Sequence, residues 1–304
     1  MNGDFASFRF DMIDFLLNNF KQEGDIQSDI EALDFYISSK PTELTSIVYE
    51  PSICIILQGN KEVDFGDKQF YYDYNKYLLA STHIPAKVRI LQASQNEPYV
   101  SLRIKFGLED IYEVLKETKQ KRFSYSKNIE KGLFFDDLNM RLYEPISRLT
   151  LLLSKPKDEI EYMSKLIIKE ILYVLISHEK SGYFISKFAL DGTASNKIVN
   201  AITEIKNSFN EKLNIKDLAH KIDMSESSFY QYFKTITSMS PIQFQKKLRL
   251  EEAKNMLLRQ NIEASEVAFA VGYESPSQFS REYSRMFGMS PKAHREQLRK
   301  TIAC

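Results

Sequence analysis

Histidine and cysteine are scarce in this chain of 304 residues, which holds four of the first and two of the second. Two cysteines, Cys54 and Cys304, cannot build a disulfide framework, and their rarity points to a reduced, intracellular setting. Cys54 lies in an isoleucine-rich run and reads as a core residue; Cys304 ends the chain and reads as exposed. A metal centre of the oxidative kind needs two or three clustered histidines with a carboxylate. His83, His178, His220 and His294 are instead scattered. No Ser/His/Asp or Cys/His grouping with a supporting motif accompanies them, so no metal, cofactor or catalytic residue is expected, and no enzyme. Long apolar runs are also missing, and Arg9, Asp11 and Asp14 interrupt Met1 to Phe20, so neither a membrane span nor a signal peptide is expected and the location reads as cytoplasmic.

Net charge is zero, but it is unevenly spread. Residues 195–304 carry 17 Lys and Arg against 12 Asp and Glu, leaving 24 against 29 for residues 1–194. A basic excess of this size is enough to attract phosphate when it lies on one face.

The basic part contains one pattern written twice. The first copy runs Leu218, Ala219, Ile222, Asp223, Met224, Ser225, Phe229, Phe233 to Ser240-Pro241; the second runs Val267, Ala268, Val271, Gly272, Tyr273, Glu274, Phe279, Tyr283 to Ser290-Pro291. Ala219 and Ala268 are 49 apart, whereas Phe229 and Phe279 are 50 apart, so the second turn is one residue longer. A small residue lets two helices cross closely, and Asp223 or Gly272 stands where the turn needs a left-handed backbone. Ser225 is placed as an N-cap, and the aromatic pairs at i, i+4 mark the buried side of each second helix. Each copy therefore reads as a helix-turn-helix unit. Between them, Pro241 to Gln260 carries Phe244, Leu248, Ala253, Met256 and Leu257 at helical spacing. Twenty helical residues span about 30 Å, close to the roughly 34 Å between successive major-groove faces.

In these residues, and over roughly 195–300, the chain resembles the AraC/XylS family of transcription regulators. The resemblance implies a domain of two helix-turn-helix units on a connecting helix, bound to double-stranded promoter DNA. It places base-facing side chains at Ser227, Tyr230 and Gln231 in the first unit and at Ser277, Gln278 and Arg281 in the second. Arginine is suited to reading guanine and glutamine to adenine. Ser225, Lys234, Arg285, Lys292 and Arg295, with Arg299 and Lys300 behind them, are the phosphate-contact candidates. Where Gln231 stands the family often has arginine, so anchoring by the first unit departs from the pattern.

The N-terminal part reads differently. Ser52–Gln58, Tyr77–Ser81, Lys87–Gln92 and Tyr99–Phe106 are short runs rich in Ile, Val, Leu and Tyr, separated by turn signals such as Gly59-Asn60 and Gly66-Asp67. Tyr99, Ser101, Arg103 and Lys105 alternate with Val100, Leu102, Ile104 and Phe106. Through Tyr49-Glu50-Pro51-Ser52, Leu57-Gln58-Gly59, Lys61, Pro85 and Ala93 to Tyr99, residues 30–185 resemble the cupin-like N-terminal domain of one AraC subgroup. That resemblance implies an effector-sensing barrel, for which Tyr72, Tyr77, His83, Arg89 and Arg103 are pocket candidates. Leu138–Leu153 and Ile160–Ile176 carry wide apolar stripes at helical spacing, in which Leu149, Ile167 and Ile171 are candidates for a dimer interface.

The expected fold is α+β: a helical extension over 1–30, a cupin-like barrel over 31–135, a helical dimerisation and linker region over 136–190, and an all-α double helix-turn-helix domain over 195–304. Asp191 to Ser195 is read as a flexible connection. The expected function is a homodimeric, small-molecule-responsive transcription regulator, with activation through RNA polymerase as its output. Two readings stay open beside it: a cupin-derived metalloenzyme or metal sensor carrying a DNA-binding module, and a regulator whose N-terminal domain binds a protein.

Overall fold

A computed structural model describes residues 2–118, 131–190, 192–259 and 262–302. Helix α1 (Asn2–Asn19) leads into nine strands: β1 (Gly24–Gln27), β2 (Leu33–Ser38), β3 (Thr45–Tyr49), β4 (Ser52–Gln58), β5 (Asn60–Phe65), β6 (Lys68–Tyr72), β7 (Lys76–Ala80), β8 (Ile84–Gln92) and β9 (Tyr99–Lys105). After α2 (Leu108–Thr118), β10 (Leu133–Asp137) completes two antiparallel sheets, ordered β1-β2-β9-β4-β7-β10 and β3-β8-β5-β6. No strand is shared between them, so the expected barrel is an open pair of facing sheets among the described residues. The chain passes from one sheet to the other at Gly59, whose φ is +82°. A Cβ there would lie 2.5 Å from the Gln92 carbonyl oxygen, so only glycine fits the crossing.

The alternation in β9 sorts its two faces. Val100, Leu102 and Ile104 are buried, whereas Ser101, Arg103 and Lys105 are partly open. In β4, Cys54 lies opposite Arg103 and Leu78 in register, so its thiol belongs to the Arg103 face. Helix α1 packs across β4.

The apolar stripes expected over 138–176 form α3 (Met140–Leu151), a 3-10 turn (Leu152–Ser154) and α4 (Lys157–Ser177). Helices α1 and α4 pack against α3, and α2 and α5 (Glu179–Ala189) pack against α4. This corrects the dimer-interface candidates: Leu149, Ile167 and Ile171 are at most 4% exposed, inside the core of a single chain. The stripes are wide because the chain covers them on several sides with its own helices. The outward side of α4 instead shows Tyr162, Leu166 and Tyr173.

The connection read as flexible is also shorter and better tied than expected. Helix α6 (Ala194–Asn207) already includes Ala194 and Ser195, and the Thr193 side chain caps it by accepting from the Asn196 amide. Thr193 Oγ1 donates to the Lys187 carbonyl at 2.6 Å, while the Asn196 amide group donates to Phe188 and Ala189 at 3.1 Å each. Asp191 itself lies outside the described residues.

The remaining helices are α7 (Ile215–Lys221), α8 (Glu226–Thr237), α9 (Pro241–Arg259), α10 (Ala264–Ala270), α11 (Pro276–Phe287) and α12 (Pro291–Ile302). The apolar core of α6 to α8 runs continuously into that of the sheets and helices before it, up to Phe244. A second core, from Leu250 to Tyr283, holds α10 and α11 against the far half of α9.

Candidate nucleic-acid interface and effector hollow

Both repeated units fold as helix, tight turn and helix. Ala219 and Ala268 are fully buried at the crossings, and Asp223 and Gly272 adopt left-handed backbones with φ of 50° and 86°. The Ser225 hydroxyl caps α8 by accepting from Ser228 N, and the Ser275 hydroxyl caps α11 by accepting from Gln278 N, with Pro276 opening that helix. The aromatic rungs turn inward: Phe229 and Phe233 meet edge to face 5.5 Å apart and Phe233 meets Phe244 at 5.4 Å, while Phe279 and Tyr283 lie 5.4 Å apart. Burying one side of each helix in this way fixes the other side outward.

On that outward side α8 exposes Ser227, Tyr230, Gln231 and Lys234, with Ser225 at its start. Helix α11 exposes Ser277, Gln278, Arg281 and Arg285, and Lys292 is exposed at the start of α12. Arg281 makes no ion pair or hydrogen bond to another described residue, which leaves all its donors for a ligand. Gln278 donates to Glu282 at 3.2 Å, and Glu282 also accepts from Lys246 and Tyr273. Arg295 departs from its expected role: its guanidinium donates to the Ile262 carbonyl at 2.7 Å and faces Glu263, so it ties α12 to the segment before α10. The Arg299 and Lys300 side chains and Cys304 lie outside the described residues.

One residue that sequence reasoning missed joins the two units. Arg249, midway along α9, donates through Nε to the Phe209 carbonyl at 2.7 Å, through Nη1 to Gly272 at 2.6 Å and through Nη2 to Glu211 at 2.8 Å. The first and last carbonyls belong to the segment entering α7, and the middle one is the turn of the second unit. A Cβ on Gly272 would fall 2.1 Å from the Asn210 oxygen, so glycine lets that turn touch the same segment. Nothing in the local pattern marks Arg249, because its partners are backbone atoms supplied from both sides.

The facing sheets enclose a hollow of about 680 Å³ that opens towards α6 and α9. Of the expected pocket residues, Tyr72, His83 and Arg103 line it; Tyr77 and Arg89 do not. Tyr77 is buried beside Phe134, and burial pushes its hydroxyl up to about 12. Arg89 pairs with Glu62 at 2.7 Å on the opposite face of its sheet. The lining residues not singled out for this role include Tyr49, Cys54, Lys61 and Tyr99 from the sheets and Phe209, Leu248 and Glu251 from the helices. The available signal was strand alternation, which puts Tyr99 on the Arg103 face. Burial pushes the Cys54 thiol up, with Lys61 and Arg103 opposing it.

At the mouth of the hollow the sheets hold the helices directly. Lys206 of α6 donates to His83 Nε2 at 2.7 Å and lies 3.9 Å from Glu50. Burial, then the Lys206 charge, lowers the His83 pKa to about 4. Lys247 of α9 donates to the Ala86 carbonyl at 3.3 Å, and the Gly132 amide donates to the Ile236 carbonyl at 3.0 Å near the end of α8. Burial brings Lys247 down to about 8.

Among the described residues no helix is long and apolar enough to cross a membrane, and no group of three or more His, Cys, Asp and Glu is placed to hold a metal ion. Residues 29–183 match the family model of the AraC-type transcriptional regulator N-terminus, and residues 218–297 match a helix-turn-helix domain. The raffinose operon transcriptional regulatory protein RafR of Pediococcus pentosaceus is 34% identical over 98 residues, covering 32% of this chain and 35% of that one. The RCS-specific HTH-type transcriptional activator RclR of Escherichia coli is 35% identical over 85 residues, covering 28% and 30%. The chain thus spans about a third of the length of these curated relatives. Across both of its parts the fold is similar to that of ToxT from Vibrio cholerae, with a TM-score of 0.60, 12% identity and coverage of 87% of this chain and 98% of that one. The same protein bound to an unsaturated fatty acid gives a TM-score of 0.57, at 12% identity and coverage of 86% and 94%.

Proposed function

The chain belongs to the AraC-type transcriptional regulators, and on that premise we propose that it binds promoter DNA in a sequence-specific way and couples that binding to a small molecule held by its sheet domain. It catalyses no reaction, acts in the cytoplasm and activates transcription by contact with RNA polymerase. The observation that carries DNA binding is the pair of units joined through α9 and Arg249, each with a buried aromatic rung and an open polar face. In this reading Gln231 and Arg281 read bases, joined by Ser227, Tyr230, Ser277 and Gln278. Ser225, Lys234, Arg285 and Lys292 hold phosphates.

The hollow supports the sensing half, since residues of α9 complete its wall and any occupant touches the helix that spaces the two units. The fatty acid held by ToxT is a property of that protein; the idea carried here is only that a fold of this kind takes a small molecule. Two copies pair through the outward side of α4, where Tyr162, Leu166 and Tyr173 recur at helical spacing and stay exposed.

Selection of binding sites from random duplexes tests the reading. Enrichment of a bipartite site, bound at least 100-fold more tightly than random DNA, is expected. Equal affinity for all duplexes would overturn it. Sedimentation of the wild type and of Leu166→Asp tests the pairing, which a monomeric wild type at micromolar concentration would refute.

A further inference from the structure

The inner end of the hollow has more hydrogen-bond donors than the protein itself uses. Asp34 faces it, but its carboxylate is already engaged: Arg103 takes Oδ2 through two donors at 2.5 and 3.1 Å, and Lys105 reaches Oδ1 at 3.4 Å. Lys61 on the facing sheet has no carboxylate within ion-pair distance among the described residues, and its ammonium lies 5.9 Å from the centre of the Tyr49 ring. Burial pushes the Lys61 pKa down. Among the described residues the hydroxyls of Tyr49 and Tyr99, both almost fully buried, have no hydrogen-bond partner of good geometry, although Ser101 stands beside Tyr99. An unpaired ammonium and two unpaired phenols at one end of a cavity are costly for a folded chain and are matched by an anion that accepts from all three.

At this end Lys61, Arg103 and Lys105 stand against Asp34 and Asp25, which leaves a surplus of one positive charge. A phosphate monoester would bring about two negative charges to it, whereas a carboxylate brings one. Beyond Lys61 the walls turn apolar, through Phe35, Ile47, Val88, Ile90 and Leu102. The mouth carries both signs, with Glu251 and Glu252 beside Lys206 and Lys254, so a charged tail gains nothing there. On the reading that this hollow is the sensing site, the geometry points to an effector that is a monocarboxylic acid with an apolar body, its carboxylate seated on Lys61, Tyr49 and Tyr99. Its body extends towards Leu248 and Phe209, the residues through which α9 and the segment after α6 meet the occupant.

The test compares acids with their uncharged twins on the full-length protein. Octanoate and 4-phenylbutyrate are titrated by calorimetry against octanamide and 4-phenylbutyramide, with suberate as a dicarboxylate of matched length. Both acids are expected to bind at least tenfold more tightly than their amides, and suberate more weakly than octanoate. Lys61→Met is expected to abolish the preference for acid over amide, and Lys61→Arg to keep it. Tyr49→Phe and Tyr99→Phe are each expected to weaken acid binding three- to tenfold. Should Lys61→Met fail to fold, the acid-to-amide ratio of the wild type and of Lys61→Arg decides the matter alone. Amides that bind as well as acids and shift operator affinity would overturn the carboxylate assignment and leave small-molecule sensing intact. If neither acids nor amides bind at millimolar concentration while operator binding is normal, both fall.

Discussion

Single residues set how much each helix-turn-helix unit can say to DNA. Arg281 projects from α11 with its donors free, so Arg281→Ala is expected to weaken the selected site by about 1–3 kcal/mol and to relax selectivity at one base pair. Lys234→Ala should instead weaken all duplexes alike and reduce the slope of log affinity against log salt by about 1. Fluorescence anisotropy on specific and scrambled duplexes separates the two, and an equal loss for Arg281→Ala on both would make it a phosphate contact. Arg249 has a different duty. Its three donors hold three carbonyls in a fixed fork, and a lysine ammonium cannot reach all three in that geometry. Arg249→Lys is therefore expected to cost about 2 kcal/mol in urea unfolding and to loosen the spacing tolerance of DNA binding; unchanged stability would show that the fork is dispensable. Asp223, Gly272, Ser225 and the aromatic pairs were legible in the sequence because their roles are local, fixed by a turn or an i, i+4 spacing. Arg249 was not, since its meaning depends on carbonyls that only the folded chain brings within reach.

At the scale of elements, the sheets hold the DNA-binding helices through few polar contacts, and the one at His83 titrates on the acid side of neutrality. Lys206 donates to His83 Nε2, so the neutral ring carries its proton on Nδ1, an atom that is buried without a partner among the described residues. Lys206 and Glu50 are the charged groups facing it, one opposing and one favouring protonation. The folded pKa, near 4, lies below the ordinary value of 6.5, so this histidine's contribution to stability is fully present above pH 6.5 and is lost as pH falls from there towards 4. Between pH 7 and 4 the wild type is expected to lose about 1–3 kcal/mol more than His83→Gln in denaturant unfolding. The same loss in both proteins would assign the effect to carboxylates elsewhere. Strand alternation was enough to place Tyr99 and Arg103 on one face. The meeting of Tyr49, Lys61 and Tyr99 with Leu248 and Glu251 could not be read, because it joins four distant segments across two sheets and a helix. The apolar stripes of α3 and α4 were misleading for the opposite reason: their breadth is used within the chain, by α1, α2 and α5.

At the scale of the molecule, the two units differ in what holds them. The core of the first is continuous with that of the sheet domain, whereas the second forms its own cluster on the far half of α9. Helix α11 also touches β3, and the link between the two units is one helix of 19 residues, about 28 Å long at 1.5 Å per residue, pinned by Arg249 to both. Adjacent major-groove faces recur at about 34 Å, so a single chain is matched to two half-sites one turn apart and to no other arrangement. Inserting 5 base pairs between the half-sites of a selected operator puts the second on the opposite side of the duplex, and binding by the second unit is lost. Inserting 10 restores the side but not the distance, because α9 cannot lengthen. Both insertions are therefore expected to reduce affinity to that of an isolated half-site, while 10 base pairs placed between the sites of two chains in a dimer should be tolerated better than 5. Footprinting on the insertion series checks this: protection of both half-sites after a 10-base-pair insertion within one chain's site would mean that the second unit swings free of α9.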